Sequence, residues 1–344
     1  MNQKVSIIIL NWNGWKDTIE CLESLYQINY PNYNVILVDN GSQNKSIEMI
    51  KNYASGELSI ESDFFEYKKF NKPIKILEFF GNELESLQII NENFNNSDSN
   101  NKLILIKNEV NSGFSEGNNL GINFSLQFLN TDYILLLNTD TVVDKNFLNE
   151  LVKFADTNHK VGIVGPGVYH YNKPDKIDNI GYNVNICNAR TSSPLDNLEE
   201  IPSSTISLDY VVGCGLLIKK SVIDDIGLLD KKYFLYYEDV DWCLRAKKQG
   251  YKVFYVPKAR IWHKVSSLER KSISLYYYGN RNSFLLIKKN RDSIGILICY
   301  SQLLFNKFIL ALYLILKGQR KESLTVLKAI NDGLRGNYGY KKLD

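Results

Sequence analysis

Apolar residues in the first half of the chain fall into two alternating patterns. Residues 5–10 (Val-Ser-Ile-Ile-Ile-Leu), 35–38, 102–106, 133–137 and 161–164 are short aliphatic runs of strand length. Between them, apolar side chains recur at helical spacing. Ile19, Leu22, Leu25 and Tyr26 form one such stripe, stopped by Tyr30-Pro31; Ile47 and Ile50 begin another, and Phe147, Leu148, Leu151, Val152 and Phe154 a third. Near-continuous apolar strands separated by helices predict parallel βαβ units with both sheet faces covered. Further on, 211–218 is apolar again, and a helix over about 239–248 leads into a strand over 251–256.

The pattern fails in three places. From about 52 to 101 two aromatic pairs sit among many Asn, Ser, Glu and Lys, which reads as an insertion with a helix near 83–90. Residues 168–208 read as irregular and polar. After His263 the chain turns to long basic and apolar helical segments, so a boundary is expected there, with a body at 1–265 and a C-terminal region at 266–344. No internal repeat is visible.

Composition adds limits. With 344 residues, 44% hydrophobic and 23% charged, the chain has enough apolar surface for a large core, which excludes a collagen-like, disulfide-stapled or wholly disordered protein. Five scattered cysteines without a Cys-x-x-Cys pair point to a reducing compartment. The run at 5–10 is too short for the apolar core of a secretory leader and reads as a strand. The net charge of +3 argues against a nucleic-acid partner, but it hides a division: residues 264–344 carry +10 and residues 1–263 carry −7.

Polar clusters stand where strands end, which is where open α/β sheets bind ligands. They are Asn11-Trp12-Asn13-Gly14, Asp39-Asn40-Gly41-Ser42, Asn138-Thr139-Asp140-Thr141 and His263. Each alone also fits a turn or helix cap, Ser42 being an apt capping residue. Glycines at 113, 117 and 121 allow close approach of backbone to a ligand before a helix start, or serve packing alone. Their spacing is not the Gly-x-Gly-x-x-Gly of dinucleotide sites. In Glu238-Asp239-Val240-Asp241, Asp241 can pair with Arg245 one turn on, and Asp239 suits either helix capping or a general base facing an acceptor hydroxyl. His159 and His170 read as surface or structural. His263 with Asp140 would make a divalent-metal pair beside diphosphate oxygens, or His263 is a core or interface histidine.

Taken together, these residues resemble the inverting family 2 glycosyltransferases of GT-A fold, in their rhamnosyltransferase-like and galactofuranosyltransferase-like branch. The resemblance runs in order through 5–14, 38–42, 111–121, 137–140, 213–218 and 234–263. It implies an α/β fold: a GT-A, Rossmann-like, mostly parallel sheet flanked by helices, with a C-terminal helical extension. By the same resemblance Asp39 accepts the imide N–H of a uracil or thymine, and Asn11 and Asn13 line the nucleotide pocket. Gly113, Gly117 and Asn119 close over the ribose and diphosphate. Asp140 is the last acid of the Asp-x-Asp motif, whose first acid is here the neutral Asn138, and His263 completes a site for Mg²⁺ or Mn²⁺. Asp239 is the catalytic base with Glu238 beside it. The implied activity is inverting transfer of a hexose, rhamnose among them, from a UDP- or dTDP-sugar to a glycan or lipid-linked acceptor in surface polysaccharide or glycoprotein glycan synthesis. A catalytically silent nucleotide-sugar-binding or scaffolding protein of the same fold is the alternative.

The segment 294–316 has the length of a membrane span, but Lys307 near its middle costs about 2.5–3.5 kcal/mol on insertion scales. Basic residues flank both ends, which fits a helix lying on an anionic leaflet better than an oriented span; the alternative is a helix packed on the body or on a second subunit. The expected location is therefore cytoplasmic, at the inner face of the cell membrane, with the oligomeric state left open.

Overall fold

The computed structural model describes residues 3–82, 101–197, 201–264 and 272–343. An eleven-stranded sheet forms among them. Its centre is β1 (Val5–Asn11), flanked in parallel by β2 (Tyr33–Asn40) and β5 (Tyr133–Asn138), with β4 (Lys102–Asn108) beyond β2. Alternate residues of these strands feed two separate cores. Ile7, Ile9, Val35, Leu37, Leu103, Leu105, Leu135 and Leu137 face one side, and Ile8, Ile36, Val38, Ile104, Ile106, Ile134 and Leu136 the other. Both faces being buried explains why the strands are unbroken apolar runs. The first face is covered by α1 (Trp15–Leu25), α2 (Ser46–Ser55) and α4 (Phe147–Ala155). The second is covered by α3 (Gly113–Phe128) and α6 (Glu238–Lys248).

On the other side of β5 the sheet turns mixed. β12 (Gly215–Lys219) is antiparallel to both β5 and β7 (Val161–His170), and leads into the short α5 (Lys220–Ile226). β13 (Lys252–His263) runs parallel to β7 and is twice the predicted length. Two register shifts let it bend past 256–260, so that its far end also pairs with β6 (Thr141–Val143). His263 is thus the last residue of a strand that opposes Thr141, not a residue in a loop.

Two regions expected to be irregular contain strands. Within 168–208 lie β8 (Lys173–Asn179), the small β9 (Asn183–Asn185) and β10 (Arg190–Ser192) hairpin, and β11 (Ile206–Leu208) at the sheet edge. They are short and mostly exposed, so they carry no apolar alternation to read. Within 52–101, β3 (Lys75–Phe80) adds a parallel edge strand to β4. A buried ion pair pins the stretch before it: Lys72 Nζ lies 2.8 Å from Glu23 Oε2, which also accepts from the Tyr53 hydroxyl. The helix expected at 83–90 lies outside the described residues.

Beyond the boundary expected at 265/266, a π-helical turn (Leu275–Gly279) precedes α7 (Asn280–Asn290), α8 (Ser293–Leu316) and α9 (Arg320–Arg335). Helix α7 joins body and tail. Leu286 enters the body core while Phe284 and Ile287 pack with α8 and α9. Asn282 donates 2.9 Å hydrogen bonds to the Leu235 and Tyr236 carbonyls, and Lys289 bridges Asp230 and Asp241.

Candidate active site

Three groups of polar residues meet around the ends of β1, β2 and β5. The first is built on Asn11, wholly buried at the end of β1. Its amide donates to Asp39 Oδ1 (2.6 Å) and Ser42 Oγ (3.1 Å), and its oxygen accepts from the Thr18 hydroxyl and the Gly14 N–H. Asp39, 1% exposed, also accepts from the Ser42 hydroxyl and N–H. Asn13, in a left-handed conformation, gives its N–H to Ser42 Oγ and accepts from the Gln43 N–H. Ser42 therefore ties β1 to β2 instead of capping a helix. Asn44, two residues before the next helix, accepts from the Ser46 N–H and hydroxyl in a local turn, and the helix has no side-chain cap.

The glycine segment is corrected by the structure. Residues 113, 117 and 121 lie on one face of α3, at the four-residue spacing of a helix face. A Cβ on Gly117 would sit 2.5 Å from Leu10 Cδ1, and one on Gly121 would sit 2.7 Å from Ile8 Cγ2. Both glycines bring the helix down onto β1 and neither faces open space. Asn119 is likewise inward: it donates to the Leu229 carbonyl (2.9 Å) and accepts from its N–H (3.2 Å). Gly117 and Asn119 thus pack and bond inward, onto β1 and the Leu229 backbone. Gly113 differs. At φ +85° it presses against Phe234, and the next N–H, of Phe114, donates to the Phe234 carbonyl (2.7 Å). It lines a cavity of about 890 Å³ with Leu10, Trp12, Asn40, Asn111 and Tyr278.

The second group is Asn138, Asp140 and His263. His263 Nε2 lies 3.1 Å from Asp140 Oδ1, and the Lys264 N–H donates to the Asp140 carbonyl. Burial works to raise the Asp140 carboxyl, but the hydrogen bond and charge of His263 outweigh it and hold the group below the ordinary aspartate range. No cluster of three or more His, Cys, Asp or Glu side chains suited to a metal occurs among the described residues. A carboxylate and an imidazole 3.1 Å apart are donor types that Mg²⁺ or Mn²⁺ accepts.

The third group opens α6. Tyr236 and Tyr237 both take positive φ (68° and 74°), an uncommon backbone for non-glycine residues, held by the Asn282 amide on the Leu235 and Tyr236 carbonyls. This kink presents Glu238 and Asp239 side by side to a cavity of about 630 Å³. Asp239 accepts from the Gly213 N–H (3.0 Å) and the Val240 N–H (2.8 Å). Burial raises its carboxyl and these N–H groups partly offset the rise. Glu238, 5% exposed, has no partner for Oε2 among the described residues, and burial followed by the charge of Asp239 pushes it well above the carboxylate range. Both carboxyls are raised, Glu238 the more strongly, while the Gly213 and Val240 N–H groups hold Asp239. Asp241 stands apart, bound to Arg245 (2.8 Å) and Lys289 (2.6 Å), in the structural role its spacing suggests.

Gly213 and Cys214 bind the second and third groups together. The Gly213 N–H meets Asp239, and the Cys214 carbonyl accepts from the Asn138 N–H (3.3 Å). Two contributors escaped sequence reading, Asn282 and the wall of α8: Asn282 acts on carbonyls 46 and 47 residues back, and α8 shares its cavity with Glu238 and Asp239, further back still.

The chain matches two family descriptions: "Glycosyltransferase like family 2" over residues 88–282 and "Glycosyl transferase family 2" over residues 6–73. It is 24% identical over 240 residues to the dTDP-rhamnosyl transferase RfbF of Shigella flexneri, covering 67% of this chain and 77% of that one. It is 29% identical over 147 residues to the low-salt glycan biosynthesis hexosyltransferase Agl10 of Haloferax volcanii, covering 41% of this chain and 45% of that one. Its fold is similar to that of the mannosyltransferase PcManGT from Pyrobaculum calidifontis in complex with GDP-Man and Mn²⁺. The TM-score is 0.54 at 13% identity, over 97% of this chain and 88% of that one.

Proposed function

The chain belongs to the family 2 glycosyltransferases, and from that premise we propose that it inverts a hexosyl group as it moves it from a UDP- or dTDP-sugar to an acceptor hydroxyl. The observation that carries this reading is the unequal carboxyl pair on the wall of the 630 Å³ cavity. Asp239 removes the proton from the hydroxyl as it attacks the anomeric carbon, and the nucleoside diphosphate departs from the opposite face. One displacement gives one inversion. Its two N–H partners fix the Asp239 carboxylate in place, so that little reorganisation is needed when it acts.

The cavity at Trp12, Asn40, Asn111 and Gly113 is the matching donor site, with Asn11, Asn13 and Asp39 behind it as its frame. Asp39 Oδ1 is taken up by Asn11 and Ser42, while Oδ2 accepts only the Ser42 N–H and keeps a lone pair for an imide N–H. Asp140 and His263 would hold a divalent ion, with Asn138 beside them; such an ion supplies positive charge to the diphosphate as it leaves. RfbF is named for dTDP-rhamnosyl transfer and Agl10 for glycan biosynthesis, which favours a deoxyhexose donor and a place in glycan synthesis. A panel of UDP- and dTDP-sugars, dTDP-rhamnose included, tests the reading with Mg²⁺ and with Mn²⁺. At least one donor should be hydrolysed or transferred. Binding without turnover across the panel would leave the silent-binder reading standing.

Helix α8 supports action at a membrane surface, on the inner leaflet. Cys299, Leu303, Lys307, Ala311 and Leu314 face the protein, while Leu297, Phe305, Phe308 and Leu312 form an exposed apolar stripe. Long and apolar enough to cross a bilayer, the helix nevertheless buries its lysine on the protein side, the arrangement of an interfacial helix. Since α7 carries core residues of the body, removing 266–344 would not leave an intact enzyme. The full chain with Leu297→Ser, Phe305→Ser and Leu312→Ser is the cleaner test. Wild type should float with vesicles of phosphatidylglycerol and phosphatidylcholine and the triple variant should not; equal flotation would remove α8 from this role.

A further inference from the structure

The cavity that holds Glu238 and Asp239 has a second, oppositely charged wall. Arg190 reaches it from the β9–β10 hairpin, and Asn280, Asn306 and Lys307 reach it from α7 and α8. Lys307, 9% exposed, is the one charged residue of a mostly apolar helix. Its ammonium donates to Asn280 Oδ1 at 2.8 Å, and no carboxylate among the described residues pairs with it. Burial first, and then the like charge of Arg190, bring its pKa down to about 7. A buried cation without a counter-ion is costly, and a second cation beside it adds to the cost. Folding gains nothing from this arrangement. An anion entering the cavity would relieve both charges and take up the two ammonium N–H groups that Asn280 leaves over.

We propose that Arg190 and Lys307 form a phosphate-binding subsite for the acceptor, placing a phosphate group at one wall of the cavity while a sugar hydroxyl reaches Asp239 at the other. The inference rests on the reading of Asp239 as the base that faces the acceptor. It adds the acceptor's chemical class: a phosphorylated glycoside. The phosphate could belong to a lipid carrier, since α8 turns Lys307 inward and Phe308 and Leu312 outward on the same turns. It could equally belong to a soluble sugar phosphate.

The test measures equilibrium binding to the full-length protein in EDTA, so that Asp140 and His263 recruit no metal-bound anion. Inorganic pyrophosphate, farnesyl diphosphate and farnesol are the probes. Wild type should bind both diphosphates and not farnesol. Lys307→Gln and Arg190→Gln should each weaken diphosphate binding at least tenfold, while Lys317→Gln, at the exposed end of the same helix, should not. Tighter binding of farnesyl diphosphate than of pyrophosphate assigns the phosphate to a lipid, and equal binding assigns it to a soluble acceptor. Lys307→Gln should melt no lower than wild type, because the buried charge does not serve stability. A lower melting temperature with unchanged diphosphate binding would make Lys307 structural and overturn the proposal, as would wild type binding neither diphosphate. Should Lys307→Gln fail to fold, Arg190→Gln on the exposed hairpin decides alone. No donor is present in these measurements, so failure of the glycosyltransferase reading in the donor panel would leave this result separate.

Discussion

Replacing Asp239 by asparagine is expected to leave the protein folded and able to bind its donor while cutting sugar transfer by roughly 10²- to 10⁴-fold, the usual contribution of a positioned general base. Two backbone N–H groups donate to the native carboxylate, one from Gly213 to Oδ2 and one from Val240 to Oδ1. An asparagine oxygen can accept only one of these in place, and its NH₂ would face the other donor. The cost in stability is therefore about 1–3 kcal/mol, which lowers the melting temperature without unfolding the chain. Burial raises the Asp239 carboxyl above the ordinary aspartate value, so transfer should rise with pH through that raised value as the base loses its proton. Stability runs the other way. A carboxyl raised in the folded state favours folding most at low pH, and that contribution is lost as pH rises from the unfolded value through the folded one. Glu238→Gln separates the two carboxyls. Burial and the neighbouring charge raise Glu238 well above the carboxylate range, so its amide should keep most of the transfer rate and flatten the fall of stability with pH. Full transfer in Asp239→Asn together with its loss in Glu238→Gln would exchange the two roles.

The central strands were legible because each is buried on both faces, so a run such as Ile7-Ile8-Ile9 is continuously apolar and β-branched over a strand's length. β8 and β10 were not, since their side chains are mostly exposed and their pairing depends on neighbours distant in sequence. The site divides in the same way. Residues at strand ends, Asn11, Asp39 and Asp140, stand where the topology requires. The glycines were harder, because a spacing of four fits both a ligand loop and a helix face. Leu10 and Ile8 decide between these in three dimensions, and they decide for packing at Gly117 and Gly121. The Lys307 that interrupts an apolar segment reads in one dimension as a charge to be kept from a bilayer. Only the fold shows that it shares a cavity with Glu238.

Substituting Gly113 by alanine should be the most damaging change outside the chemistry. Two penalties coincide there. At φ +85° an L-residue is strained, and a Cβ would overlap both the Phe234 ring and its carbonyl oxygen. The ring belongs to a stack with Tyr278 (5.2 Å between centroids) and the carbonyl accepts from Phe114, so neither can yield without opening the contact between α3 and the loop that launches α6. Strain of about 1–3 kcal/mol and overpacking of similar size suggest a loss of roughly 3–5 kcal/mol, a large share of a typical domain's stability. Gly227→Ala is the internal control. Its φ and ψ are +74° and −172°, a conformation open almost only to glycine, but among the described residues nothing lies within 4 Å of the new methyl, so only the backbone penalty of about 1–3 kcal/mol should appear. Urea unfolding of both variants compares the two. Equal losses would show that Phe234 moves aside freely and that the α3–α6 contact is soft. A larger loss at Gly113, with transfer falling further than the unfolded fraction explains, would show that this glycine also sets the position of Asp239, five residues beyond Phe234.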